Sequence, residues 1–478
     1  MLQPPREFSQ RKIVLIITTT VFSFSAMTNA FYLMGLAALP WYLLTAICFF
    51  IPYAFIIAEY SYAYKDKPAG INDWLKDNLS ENVATIATFL WYCSYSVWLV
   101  SLSMKIWIPF SILLFGRDLT QSTLATGLNS RLFVGILSIG LICFLTWLAS
   151  SSFTKVATMM IISGKLILML FIITVASQLL LLLAPSTTVV IEAKQLIQSP
   201  NPDYQSLIGN LSFFIFSITA FGGLDTVASL VDKLSGKTNR FSRGIVISAF
   251  LVVALYFLGI LLWSISIPWS TALKDQQLNL GNVMYTLMLN LGSQVGQVLH
   301  LSLANSRLLG QLFLRLNGLV FFITYLGLLS TIIYTPLKTL YHSLASKTTV
   351  PKAAYWWQAT IISLLILFVS LGGKNVSQLY NQLTLMTNLS RSIPYLMIAL
   401  SFGHFHKGQT EIRYLKTSLS AKVASFSVII SISIGILFTL AKPLLAGEYL
   451  TVFFLILGPL LFTTLALLIL RFQQVSNK

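Results

Sequence analysis

The chain has 478 residues, 56% of them hydrophobic and only 9% charged, with 31 Lys and Arg against 14 Asp and Glu for a net charge of +17. Soluble domains carry about 25% charged residues, so this composition excludes a water-soluble globular protein. The positive charge sits in short stretches between apolar segments, with no single patch for nucleic acid, and Cys48, Cys93 and Cys143 make neither a disulfide framework nor a metal spacing.

A membrane helix needs about 20 apolar residues. About twelve segments qualify: 13–34, 38–64, 83–113, 131–152, 155–183, 206–231, 241–267, 306–335, 355–372, 376–402, 419–441 and 449–471. Little remains for any domain outside the lipid bilayer, and the expected fold is one all-α polytopic unit spanning 1–478. Sorted by alternate loops from a cytoplasmic N-terminus, twenty Lys and Arg fall inside and seven outside. That asymmetry predicts two cytoplasmic termini.

The first segment follows basic residues, as a signal peptide would, but has no convincing small-x-small cleavage site and is read as a retained helix. Its Thr18-Thr19-Thr20 run, with Ser23 and Ser25, begins about ten residues from the basic end. At about 1.5 Å per residue that is close to mid-membrane. Either these hydroxyls bond the preceding turn, as is common in membrane helices, or they mark an interruption that lines a site. Glu59 sits at the inner end of the second segment, where a gate or a salt bridge with a loop Lys or Arg is expected. The loop 65–82 carries the amphipathic Ile71-Asn72-Asp73-Trp74-Leu75, a short interfacial helix. In the third segment Trp91, Ser94, Tyr95 and Trp98 share one helix face. They are either packing or a wall over a solute. Lys105, near the outer end of that segment, is read as snorkelling.

Lys165 lies about ten residues into the fifth segment, deep enough to require a partner, deprotonation or water. It is a candidate coupling group or a snorkelling lysine. The sixth segment holds Phe221-Gly222-Gly223-Leu224-Asp225. A glycine pair weakens a helix, and an acid in hydrocarbon costs about 2.5–3.5 kcal/mol. Such a combination is kept where unwound backbone lines a polar cavity, unless Asp225 is a structural acid paired with a base. The loop 268–305 has a mildly apolar stretch, 283–291, that is either a surface helix or packed loop. Arg315, deep in the eighth segment, attracts an anion or pairs with an interior carboxylate, and Tyr325 is ambiguous between packing and site. Arg391, in the inner half of the tenth, is placed to snorkel inward. Interruptions in the first and sixth segments, which cross in opposite directions, point to inverted repeats of five helices, 13–183 and 206–402, with 419–471 as accessory helices.

These features resemble the amino acid–polyamine–organocation superfamily of permeases along essentially the whole chain. Phe221-Gly222-Gly223-Leu224-Asp225 is similar to the family's sixth-helix Gly-hydrophobic-Glu element, and Pro52 through Ala58-Glu59 to its second-helix signature. Phe31-Tyr32-Leu33-Met34-Gly35, Ser199-Pro200-Asn201-Pro202-Asp203 and Leu383-Thr384-Leu385-Met386-Thr387-Asn388 resemble the glutamate/GABA antiporter branch. The family's first-helix glycines are replaced here by Thr20-Val21-Phe22-Ser23. The resemblance implies a LeuT-like five-plus-five inverted repeat with broken helices 1 and 6. Substrate groups would meet Thr19, Thr20, Ser23 and Ser25 in the first helix and Thr219, Phe221, Gly222, Gly223 and Asp225 in the sixth. Trp91, Tyr95, Tyr325 and Asn388 would complete the pocket. Lys165 resembles the fifth-helix lysine that some proton-dependent members carry in place of sodium; with Glu59 and Arg315 it makes a coupling and gating set.

The expected function is a secondary active amino-acid transporter of the inner membrane, an antiporter or a proton-coupled permease, for a glutamate/GABA-like substrate. The alternative is an amino-acid-binding channel or sensor without coupled transport. Among transporters a major-facilitator fold is the rival, but its basic loop motif between helices two and three is missing here. Nothing points to an enzyme, a metal site or a cofactor, and the substrate, the coupling mode and the oligomeric state are not written in the sequence.

Overall fold

Backbone groups in apolar surroundings must bond within their own segment, and every element among the described residues is helical. The computed structural model describes residues 8–65, 67, 70–120, 130–184, 193–234, 240–269, 278, 280–345, 349–372, 374–408 and 412–476, without the side chains of 130, 193, 233, 374–388 and 472–476. An interrupted run opens the chain, α1 (Gln10–Val21) and α2 (Phe24–Met34), followed by α3 (Ala38–Thr45) and α4 (Ile51–Ala63). Then come α5 (Ile71–Asn78), α6 (Glu81–Lys105), α7 (Trp107–Phe115), α8 (Ser130–Ser151), α9 (Phe153–Leu183) and the short α10 (Ala193–Ile197). A second interrupted run is α11 (Leu207–Ala220), α12 (Leu224–Ala228) and α13 (Val231–Leu234). The remainder is α14 (Arg240–Ser266), α15 (Val283–Val298), α16 (Leu303–Ala345), α17 (Lys352–Leu371), α18 (Lys374–Gly408), α19 (Ser418–Leu445) and α20 (Tyr449–Ser476).

Among the described residues, ten helices or helical runs are long and apolar enough to cross a membrane. The sequence suggests about twelve segments. Its first two fall within the single run Gln10–Ala63, of 54 residues. Its tenth, 376–402, lies in α18, where the side chains of 374–388 are outside the description. The amphipathic stretch after α4 forms α5 as expected, with Trp74 fully buried and stacked on Tyr60 at 5.1 Å. The stretch 283–291, open between helix and loop, is helical and packs along α16. Gly292 and Gly310 allow that approach, since a Cβ on Gly292 would lie 2.9 Å from the Gly310 Cα.

Pro52 shows how one residue shapes the scaffold. Its ring removes a backbone N–H, and the carbonyl four residues earlier, that of Cys48, loses its helical donor. The turn Ala46–Phe50 just before it is wound as a π-helix, a bulge that such a defect favours. The Cys48 carbonyl instead accepts from the hydroxyls of Ser427 (2.6 Å) and Ser431 (3.2 Å). A local defect in α4 is thus the joint to α19.

Candidate functional site

The two interruptions meet. The first is built without glycine: Phe22 (φ −69°, ψ 121°) and Ser23 (φ −113°, ψ 110°) are ordinary extended backbone. The Ser23 hydroxyl caps α2 by accepting from the Ala26 N–H at 3.2 Å. The second uses glycine: Gly223 has φ 111°, which L side chains rarely adopt, and it starts α12. A Cβ on Gly223 would also lie 3.0 Å from the Thr20 carbonyl oxygen, so the second break touches the last turn of α1 there.

Breaking a helix strands backbone donors and acceptors. Tyr256, on α14, serves both breaks with one hydroxyl: it accepts from the Ser23 N–H at 3.0 Å and donates to the Ala220 carbonyl at 2.8 Å. Its ring packs against Phe22 and Phe221, each at 5.1 Å. No spacing in the sequence singles out Tyr256 among 19 tyrosines.

Both breaks face a cavity of about 500 Å³. Of the residues expected at the site, Thr19, Thr20, Ser23, Tyr95, Thr219, Gly222, Gly223 and Tyr325 line it. Thr19 and Thr20 also bond back to the carbonyls of Leu15 and Ile16, each at 2.7 Å, as hydroxyls in membrane helices commonly do. Ser25, Trp91, Phe221 and Asp225 are not among the lining residues. Phe221 is core, stacked on Phe50 at 4.5 Å. The Asn388 side chain lies outside the described residues.

Asp225 stands one layer behind the wall, with no exposure at all. Its Oδ2 accepts from the Trp91 indole N–H (2.5 Å) and the Tyr95 hydroxyl (3.1 Å), and its Oδ1 from the Tyr395 hydroxyl (2.9 Å). Thr226 in turn donates to the Tyr95 oxygen at 2.7 Å. Three donors satisfy this carboxylate, as a buried acid requires, and among the described residues no base lies within ion-pair distance of it. Trp91 and Tyr95 therefore hold the acid of the sixth segment, a role between the packing and solute-wall readings of that face.

The charged residues singled out in the sequence take up varied positions. Lys165 is exposed and does not line the cavity; its neighbours Ser163 and Gly164 face inward, with Ser163 donating to the Ile323 carbonyl at 3.0 Å. Arg315 is exposed and donates to the Leu114 carbonyl at 3.3 Å, at the carboxyl end of α7, where a cation suits the helix dipole. Glu59 is buried and accepts from the backbone N–H groups of Arg413 (3.1 Å), Tyr414 and Leu415 (2.8 Å). Where a salt bridge to a loop base is expected, the partner is backbone: three converging N–H groups form an anion-holding nest.

The cations that do line the cavity are Lys105 and Arg391, both read from the sequence as snorkelling. The Arg391 guanidinium lies over the Trp98 ring at 5.7 Å, and Trp98 is itself a lining residue. No Asp or Glu is among the lining residues described. Beyond the cavity, Lys338 of α16 is buried and paired with Asp232 of α13 at 2.5 Å, and donates to the Ser229 carbonyl at 3.4 Å. This pair ties the segment after the second break to α16. Gly70 (φ 51°) abuts the same turn, since a Cβ there would lie 2.7 Å from the Ser229 Cα.

Comparison with known proteins agrees with this architecture. A family model described as amino acid permease matches residues 8–441. The inner membrane transporter YjeM of Salmonella typhimurium is 37% identical, over 98% of this chain and 96% of its own length. Its namesake in Escherichia coli K12 is 36% identical over 96% of this chain and 94% of its own. The aspartate/glutamate permease AcaP of Lactococcus lactis is 20% identical over 86% of this chain and 83% of its own. With the family model covering most of the sequence, and a relative above 30% identity along nearly all of it, the chain belongs to the amino acid permease family.

Proposed function

We propose that this protein is a secondary active amino-acid transporter of the cell inner membrane, an antiporter or proton-coupled permease that works by alternating access. The observation that carries the reading is the meeting of two broken helices on one cavity wall, stapled by Tyr256. Discontinuous helices of this kind supply a solute with unwound backbone at membrane depth. In this reading the chain crosses the bilayer twelve times with both termini cytoplasmic, as an inverted repeat of 13–183 and 206–402 plus accessory helices 419–471. The amino terminus of α2 draws the substrate carboxylate, and exposed carbonyls at the breaks take its ammonium.

The names of the relatives support membrane transport, and that of AcaP, an aspartate/glutamate permease, favours the glutamate-like side of the glutamate/GABA expectation. Lys165 stays the candidate coupling group on position alone, one residue from the contact between Gly164 and Thr19.

Radiolabelled amino-acid flux in proteoliposomes tests the proposal, with and without internal amino acid and with an imposed pH gradient. Exchange, or accumulation above the external concentration, is expected. Gradient-driven uptake lost in Lys165→Ala makes that lysine the coupling group. Flux that only equilibrates would sink coupled transport in favour of a channel, and amino-acid binding with no flux would indicate a sensor.

A further inference from the structure

A second cavity, of about 180 Å³, lies behind the central one among α11, α18, α19 and α20. The two share Thr219, Gly222 and Arg391, and these residues form their common wall. The second chamber is otherwise mostly apolar, with Ile215, Ile218 and Ile432 among its lining. Gly435 opens one side of it: a Cβ there would meet only the Ile218 Cδ1, at 3.8 Å.

Arg391 at this wall is half-buried, and its guanidinium lies over the Trp98 ring. Among the described residues no acid lies within ion-pair distance of it. Asp225 already accepts from Trp91, Tyr95 and Tyr395. A half-buried guanidinium without a carboxylate is costly unless something else completes it. Lys105 adds a second positive charge to the same cavity, and no lining carboxylate offsets either. A zwitterion with a neutral side chain brings no net charge to this field. An amino acid with an acidic side chain brings one negative charge and a planar group suited to bidentate contact.

We propose that Arg391 is a specificity-determining residue that receives the side-chain carboxylate of an acidic amino acid, with the second chamber giving room for the length of that side chain. This rests on the transporter reading only for the location of the substrate; recognition itself needs no transport. The α-amino and α-carboxyl groups stay at the helix breaks, on the near side of Gly222. The side chain points across the shared wall, where Arg391 closes the path.

Binding to the purified full-length protein, followed by thermal shift and calorimetry, separates recognition from flux. Glutamate and aspartate are expected to bind at least about tenfold more tightly than glutamine and asparagine, because the amides cannot replace an ionic bidentate contact. Arg391→Gln should lower affinity for the acids about tenfold while leaving the amides within about threefold, and Arg391→Lys should fall between, as a point charge without the fork. Gly435→Leu, which adds a side chain at the second chamber while leaving the guanidinium in place, should weaken glutamate several-fold relative to aspartate. Amides or neutral amino acids binding as tightly as acids would overturn the assignment. So would a folded Arg391→Gln protein with unchanged preference, or one that loses acids and amides equally. Should that variant fail to fold, Gly435→Leu with unaltered glutamate-to-aspartate preference overturns the side-chain route. Acid-selective binding without exchange or accumulation would retire the transport reading and keep this one; no binding of any of the four would retire the site itself.

Discussion

The breaks after Val21 and after Ala220 do the same job with different chemistry. The second has two glycines, one held at φ 111° against the Thr20 carbonyl. The first has none, and unwinds through Phe22 and Ser23 at φ and ψ values open to any residue. Glycine is thus needed only where the chain turns left-handed at a close approach. Extended unwinding needs partners for the stranded backbone groups instead, and Tyr256 and the Ser23 side chain provide them. A missing glycine in the first segment is therefore no sign of an intact helix.

Substitutions at the breaks can separate these two strategies. The largest effect is expected for Gly223→Ala. A non-glycine residue held in a sparsely populated region costs about 1–3 kcal/mol, and the new methyl meets the Thr20 oxygen at 3.0 Å. Thermal unfolding in detergent should show a loss near the top of that range, with flux abolished. An active, equally stable variant would mean that the second break also tolerates ordinary backbone. Next is Tyr256→Phe, which strips a partner from both breaks at once. Water in the cavity can reach the Ser23 side, so the loss should be about 1–2 kcal/mol, within the range for unmade buried hydrogen bonds. Thermal unfolding in detergent checks this, and an unchanged stability would mean that the two breaks do not depend on the shared staple. The smallest effect is expected for Ser23→Ala, about 1 kcal/mol or less for a lost cap. Were it to exceed the tyrosine change, the first break would depend on its own cap more than on α14.

The glycine pair and the acid of the sixth segment were legible because both are costly in an apolar helix, and cost is visible residue by residue. The same logic ranks the cations by depth but does not say which way each one faces. Lys165, Arg315, Lys105 and Arg391 all stand within apolar segments, and depth ranks the first two highest. In the folded chain Lys105 and Arg391 line the cavity, whereas Arg315 caps α7 and Lys165 turns outward. Which way a charged side chain faces depends on helix rotation, and rotation is set by packing against neighbours far away in sequence. Glu59 follows the same rule. Its partners are backbone amides more than 350 positions along the chain, and every peptide carries such a donor, so residue type cannot reveal the match.

What the sequence by itself determined is the solvent and the local defects. Apolar runs of about 20 residues call for membrane helices, Gly222 and Gly223 interrupt one of them, and Pro52 disturbs another. These follow from the hydrophobic content and conformational freedom of neighbouring residues. Only the tertiary structure decided that the two interruptions share one tyrosine, that Asp225 is held by Trp91, Tyr95 and Tyr395, and that Arg391 stands between two cavities. Those are contacts between helices whose mutual rotation and register no local pattern encodes; the packing of the whole bundle chooses them.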